Sequence, residues 1–339
     1  MLTFDGHNDL LLRLWLHHRD APVDAFFNGI EHGHLDFPRM QQGGLFGGLF
    51  AIFVPPQAYI AQTAPHLADA PWQPLEIMWQ QLAILTQIAE QSQGRARLCR
   101  SAAEIALCRD AGVLALVAHI EGADALDEEG EQLQAFYDAG VRSIGPFWNL
   151  PNRFGVGVTG AFPGSPDSGP GLTDAGKALI KQANALNMLI DVSHMNEKAF
   201  WDTAALSRSP LVATHSNAHA LCAQPRNLTD AQLAAIRDSG GMVGINFGNA
   251  FLRADGKRDS DTPLGDIVRH YERLVMIMGS DRVGFGSDFD GISVPEALKD
   301  VAGLPRLFAA LRDAGYDQDR LEKLASDNWL RVLGQIWQG

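Results

Sequence analysis

The sequence predicts an α/β fold, specifically a closed (β/α)8 TIM barrel, and three observations lead there. Short apolar segments rich in Val, Ile, Leu and Phe recur along all 339 residues, helix-like segments separate them, and the apolar segments number eight. Alternation of this kind gives parallel strands joined by crossover helices, and eight such units close on themselves instead of leaving an open sheet. No internal repeat or linker divides the chain, so one domain over residues 1–339, a single barrel, is expected.

The eight segments run in order around Leu2 to His7, Gly44 to Val54, Val113 to Glu121, Val141 to Trp148, Met188 to His194, Leu211 to His215, Met242 to Phe247 and Val283 to Asp288. Between them, helix starts are marked by Ser101 with Glu104 and by Thr229 with Gln232, each spaced as a capping box. Helix stops are marked by Gly112 and by Gly240-Gly241. Ile267, Tyr271, Leu274, Val275 and Met278 repeat at the spacing of a helix face packed on a sheet, which makes that stripe core. The stretch from Pro151 to Gly171 is dense in Gly and Pro and follows the fourth strand, where a barrel carries substrate-facing loops; it reads as a lid or as a plain surface excursion.

A formal charge of −13 argues against nucleic acid or an anionic membrane as a partner, because both require a basic surface. Cys99, Cys108 and Cys222 lack the spacing of a cysteine metal site and are odd in number, so buried free thiols are expected. Leu10 to Leu16 is apolar, but Asp5, His7 and Asp9 precede it where a secretory signal carries basic residues. The segment Gln335-Ile336-Trp337-Gln338-Gly339 has no hydrophobic anchor tail, and no apolar run is long enough to span a bilayer. The expectation is a soluble, cytoplasmic protein.

The chemistry lies at the strand ends. His7 and Asp9 stand two residues apart, on one side of an extended chain, where both can grip one ion. Glu121 follows an apolar run in a buried strand, and a carboxylate there must be neutralised or paired. His194, His215 and Asp288 end the fifth, sixth and eighth strands. Taken singly, each is better explained as a hydrogen-bonding group at a strand end. In a barrel, however, these ends converge on one mouth. Five potential ligands exceed what one tetrahedral zinc takes, whereas a shared carboxylate lets five side chains hold two ions. Glu121 is the natural bridge, and two ions would generate hydroxide while polarising a carbonyl.

Several segments together resemble the membrane dipeptidase (renal dipeptidase) family, peptidase family M19, within the amidohydrolase-like superfamily. They are Phe4-Asp5-Gly6-His7-Asn8-Asp9, Ile120-Glu121-Gly122, Asp191-Val192-Ser193-His194, His215-Ser216-Asn217-Ala218 leading to Arg226-Asn227, and Val283 through Gly291. The resemblance runs nearly the whole chain. It implies two Zn2+ per subunit, one held by His7, Asp9 and Glu121 and the other by Glu121, His194 and His215. Relatives that bridge their metals through a modified lysine at a strand end are a poorer match, since no such lysine occurs here. The imidazole and carboxylate set would also accept manganese, cobalt or iron.

The resemblance further implies that Asp288 transfers the proton. Asp290 is the neighbouring alternative, on the same face. Arg226 would receive the substrate's free carboxylate. Where the family commonly carries a histidine after the fourth strand, this chain has Trp148, whose indole donates one hydrogen bond but cannot act as acid, base or ligand. His119, one layer deeper than Glu121, reads as a packed core histidine. The function implied is hydrolysis of a small dipeptide substrate, L-Xaa-D-Xaa included, by a metal-bridging hydroxide, in a protein able to form a homodimer. Deacylation, or lactam, lactone or cyclic-amide opening on the same scaffold, is the alternative that Trp148 favours. A catalytically silent metal-binding barrel is the second alternative, and the retention of Asp288 beside a full ligand set argues against it.

Overall fold

The computed structural model describes residues 1–337; Gln338 and Gly339, the end of the C-terminal segment discussed above, lie outside the described residues. Eight parallel strands form the barrel: β1 Thr3–Asn8, β2 Leu45–Phe53, β3 Leu114–Glu121, β4 Ser143–Gly145, β5 Leu189–Ile190, β6 Val212–Ala213, β7 Met242–Ile245 and β8 Val283–Phe285. Their spatial order is β5-β4-β3-β2-β1-β8-β7-β6. The ring closes between its two end strands through a parallel bridge from Asp191 to Val212, with Val192 N–H donating to the Val212 carbonyl at 2.8 Å.

Alternation along β3 separates two environments. Ala115 and Val117 join Phe4, Leu49, Leu189, Val212, Met242 and Trp329 in one buried cluster, while Leu116, Ala118 and Ile120 pack into the larger layer under the helices. Trp329 plugs the barrel, and its indole N–H donates to the Phe285 carbonyl at 2.9 Å. His119 and Glu121 share the side of Ala115 and Val117, successively farther along the strand. The ligand-type residues therefore sit above an apolar plug.

Each expected strand is present, although β4 to β8 are shorter than the apolar runs suggested. Thr229 and Gln232 form a complete capping box. Ser101 caps its helix, but the Glu104 carboxylate reaches past it to the Arg100 N–H at 2.6 Å. Ile267, Tyr271, Leu274 and Met278 are buried on the helix Leu264–Met278, and Val275 packs at its margin. Leu10–His17 is a helix with its leucines buried. A short strand, Ala96–Leu98, that the sequence reading did not anticipate pairs with β3. The stretch from 151 to 171 contains a small hairpin, Pro151–Asn152 with Gly155–Val156. It is pinned to the chain after β5, where Val158 N–H donates to the His194 carbonyl at 2.7 Å and Asn196 donates to the carbonyls of Val156 and Pro170. It is a fixed wall of the barrel mouth.

Among the described residues, no helix is long and apolar enough to cross a membrane. Cys99, Cys108 and Cys222 are free and buried.

Candidate active site

The barrel brings all five expected ligands to one point. His7 Nε2 lies 3.5 Å from Asp9 Oδ2 and 3.6 Å from Glu121 Oε2. On the other side of the same carboxylate, His194 Nε2 and His215 Nε2 lie 3.1 and 3.4 Å from Glu121 Oε1, and 3.0 Å from each other. Glu121 thus divides its two oxygens between two sets of donors. The rings of His7 and His215 stack at 3.7 Å. Ligand atoms of His7, Asp9 and Asp288 also lie within 4.8 Å of one another, as do those of His7, Glu121 and His215.

A layer behind these groups aims them. His194 Nδ1 meets Asn149 Oδ1 at 2.8 Å; since that oxygen only accepts, the ring's proton is on Nδ1 and the Nε2 lone pair faces inward. His215 is held by a relay. The Thr214 hydroxyl donates to Asp191 Oδ2 at 2.5 Å, so it accepts from His215 Nδ1 at 2.8 Å. Asp191 also accepts from the N–H groups of Ser193 and Thr214. Asp5 accepts from the Ser287 N–H at 2.7 Å and its hydroxyl at 2.6 Å, tying β1 to the turn that carries Asp288. His194 and Asp288 have φ of 64° and 59°, left-handed conformations that non-glycine residues adopt at a cost of about 1–3 kcal/mol and that cluster at functional sites. Gly291 has to be glycine, because a Cβ there would run into the carboxylates of Asp9 and Asp288.

The donor chemistry fits metal ions. Both ring nitrogens of His7 are buried without a hydrogen-bond partner, although carboxylates face Nε2 from two sides. Two donors sharing a tetrahedral zinc at about 2.0–2.1 Å stand roughly 3.3 Å apart, close to the spacings found here and longer than a strong hydrogen bond. The electrostatics agree. Burial pushes Glu121 up to about 8, with His7 opposing the rise and Asp9 and Asp288 adding to it. Burial would lower His7, but the charges of Glu121, Asp9 and Asp288 overcome it and carry it up to about 10. Burial, reinforced by Arg226 and His7, holds His194 and His215 well below the usual histidine range, as neutral ligands require. Buried carboxylates crowded this closely need a cationic partner.

Asp288 and Asp290 part company in three dimensions. Asp288 Oδ2 accepts from Asn246 at 2.7 Å, and the group faces Asp9 and His7; burial, with the Asp9 charge, raises it to about 7. Asp290 is buried against the segment before β2, where its Oδ1 accepts from the His34 N–H at 2.6 Å and approaches Arg13. His119 is fully buried against the Ser143 hydroxyl at 2.8 Å, a core position as expected.

A cavity of 470 Å³ opens above the cluster, lined by Asp9, Glu121, His194 and Asp288 on its floor and by Phe53, Tyr59 and Trp148 on one wall. Trp148 packs against Phe53 at 5.3 Å. A second cavity of 350 Å³ adjoins it, shares Asn149, Ala250, Phe251, Arg258 and Ile292 with it, and contains Arg226. Arg226 is only 7% exposed and donates to the Ser216 hydroxyl at 2.7 Å and the His215 carbonyl at 2.8 Å, which leaves its buried Nε without a partner.

Comparison with known proteins shows the family. The membrane dipeptidase family, peptidase family M19, matches over residues 1–338. The chain belongs to that family. An uncharacterized protein from the pqqA 5′ region of Klebsiella pneumoniae is 70% identical over 270 residues, 80% of this chain and 100% of that protein. A metallopeptidase from Rhodobacter sphaeroides, solved with a phosphinate mimic of the dipeptide L-Ala-D-Ala, is 44% identical, covers 99% of each chain and superposes with a TM-score of 0.94. The probable dipeptidase PvdM from Pseudomonas aeruginosa is 26% identical over 100% of this chain and 96% of its own, with a TM-score of 0.85.

As a member of the membrane dipeptidase family the protein is a metal-dependent hydrolase, and its barrel carries a cluster of His, Glu and Asp side chains close enough together to hold a metal ion. Sequence reasoning missed the groups behind and around that cluster: Asn149, Asp191, Thr214 and Asn246 behind it, Tyr59 and Arg258 at the cavity wall. Asp191 and Thr214 lie one to three residues from a histidine, and that proximity was the available signal. Nothing in the local sequence marks Asn246 or Arg258.

Proposed function

We propose that this chain is a zinc-dependent dipeptidase, folded as one catalytic domain, that cleaves the amide bond of dipeptides, L-Xaa-D-Xaa included. The observation that carries the reading is the division of the Glu121 carboxylate between His7 on one oxygen and His194 with His215 on the other. His7, Asp9 and Glu121 would hold one ion, and Glu121, His194 and His215 the second. Two zinc ions bound there would polarise the scissile carbonyl and acidify a shared water, so that hydroxide is available near neutral pH.

The chain's own groups do the rest. Asn246 occupies Oδ2 of Asp288, leaving Oδ1 to take the proton from the nucleophile and return it to the leaving amine. Arg226, preset by Ser216 and the His215 carbonyl, keeps N–H donors for the substrate's carboxylate. The wall built from Phe53 and Trp148 excludes water on the opposite side.

The test is hydrolysis of L,L and L,D dipeptides by the zinc-loaded protein, beside metal-stripped protein and Asp288→Asn. We expect cleavage of several dipeptides. Metal removal should abolish it, and Asp288→Asn should cost about 10²- to 10⁴-fold in kcat with bound zinc retained. Two bound zinc ions without cleavage of any dipeptide would sink the dipeptide reading. Lactam, lactone or cyclic-amide opening would then stand in its place, with Trp148 in the position that separates them.

A further inference from the structure

We infer that Arg258 makes the second cavity a subsite for an anionic side chain, so that the enzyme selects dipeptides whose C-terminal residue is acidic. The inference rests on the dipeptidase reading above and names the substrate class within it. Arg258 lines both cavities, the one over the metal cluster and the one holding Arg226. It is exposed, and among the described residues it has neither an ion pair nor a hydrogen bond.

The surrounding loop explains why this guanidinium is free in a chain with a large excess of acids. Arg253 takes Asp255 through two contacts of 2.8 Å and Asp261 at 3.1 Å, which draws together the two arms of the loop and commits two of its three carboxylates, leaving that of Asp259 beside Arg258 in the sequence. Asp255 also accepts from the Lys257 N–H at 3.1 Å. Gly256, at φ of 65°, packs so closely on the ring of Phe162 that a Cβ would overlap it, and Phe162 belongs to the wall pinned after β5. The loop is therefore tied at its base and braced at Gly256, and it presents Arg258 at the cavity mouth.

Charge is then divided along the two cavities. The carboxyl groups of Asp9, Glu121 and Asp288 lie at one end, and Arg226 and Arg258 make the other end cationic. A dipeptide seated with its C-terminal carboxylate on Arg226 places that same residue's side chain in the cavity Arg258 shares. The remaining lining there includes Val158, Thr159, Pro225 and Ile292, none of which carries a charge. An Asp or Glu side chain satisfies Arg258, whereas an apolar one leaves it to water and a basic one is repelled.

The experiment compares kcat and KM of zinc-loaded wild type, Arg258→Ala and Arg258→Glu on Ala-Asp, Ala-Glu, Ala-Asn, Ala-Ala and Ala-Lys, each with an L and a D C-terminal residue. We expect wild type to favour the acidic substrates. Arg258→Ala should lower kcat/KM on them by roughly 10- to 100-fold, mostly through KM, and change Ala-Ala by less than about threefold. Arg258→Glu should improve Ala-Lys relative to Ala-Asp. An equal loss on every substrate would overturn the side-chain subsite and make Arg258 a second clamp on the main-chain carboxylate. No change on any of them would overturn it in favour of a solvated loop residue. Failure of wild type to cleave any of the dipeptides would instead strike the dipeptidase reading itself. Circular dichroism melts of the variants guard against misfolding, and the exposed position predicts unchanged transitions.

Discussion

At the floor of the cavity, five ligand-type side chains stand at strand ends with a second layer committed behind them; at the lip, Arg258 and Trp148 stand on loops with few polar partners. His194 has Asn149 behind it, His215 has Thr214 and then Asp191, and Asp288 has Asn246. Arg258 has no such backing, and Trp148 is fixed by packing on Phe53. The difference teaches where precision is needed. Ions tolerate errors of a few tenths of an ångström, so their donors are locked by hydrogen bonds. Side chains of varied substrates tolerate more, and the lip is assembled from segments that can change without disturbing the barrel.

The severest way to break this contrast is to remove the group both ligand sets share. In Glu121→Gln the shape is kept, but the charge is lost, and one of the two oxygens becomes an NH2 that cannot bind an ion. We expect fewer than two zinc ions per chain and a fall in kcat of at least about 10³-fold. Metal analysis by mass spectrometry beside initial rates checks this. Two zinc ions retained at full affinity would show that Glu121 does not bridge them.

Much of the floor is legible in the amino-acid order, for a physical reason. A ligand on a strand end needs an apolar run before it, and such runs announce themselves, as before Glu121 and His215. His7 and Asp9 need no more than the two-residue repeat of an extended chain. The committed layer is harder to read because its partners come from other strands: Asp191 serves His215 through Thr214, across the seam where the barrel closes. Strand lengths were overestimated for a related reason. Val141 to Trp148 is largely apolar apart from Arg142 and Ser143, yet only Ser143–Gly145 pairs, because the chain then leaves the sheet to bring Trp148 and Asn149 to the cavity. Arg258 is illegible, since its importance depends on two loops meeting at Gly256 and Phe162.

A gentler break acts on the second layer alone. Thr214→Val keeps the volume but removes the hydroxyl that links Asp191 to His215, so His215 Nδ1 loses its acceptor and the ring loses its fixed tautomer. We expect zinc affinity at one of the two sites to fall by about 10- to 100-fold, with the other nearly unchanged. Thr214→Ser should restore it. Competition titration with a chromogenic chelator separates the two sites. Equal weakening of both, or no rescue by serine, would point to general loosening of the β6 end and not to the relay.

The smallest effect is expected where floor and lip meet, at Trp148. Its ring lies on Phe53, lines the main cavity, and also bounds a third cavity of 300 Å³ that reaches Trp72. Trp148→His trades apolar area for a group able to accept as well as donate a hydrogen bond. Because Asn149, the next residue, holds His194 through its own side chain, the ligand should stay in place. The variant should therefore keep two zinc ions, lose a few degrees of melting temperature, and change kcat/KM by less than about tenfold, with the change depending on the substrate's N-terminal residue. Metal content and kinetics on Ala-Ala, Leu-Ala and Phe-Ala decide it. Loss of zinc would place Trp148 with the floor, as part of the support for His194, and would erase the boundary between the two regions at this point. Retention of zinc with a substrate-dependent change would set that boundary between residues 148 and 149, two neighbours that serve different ends of the same reaction.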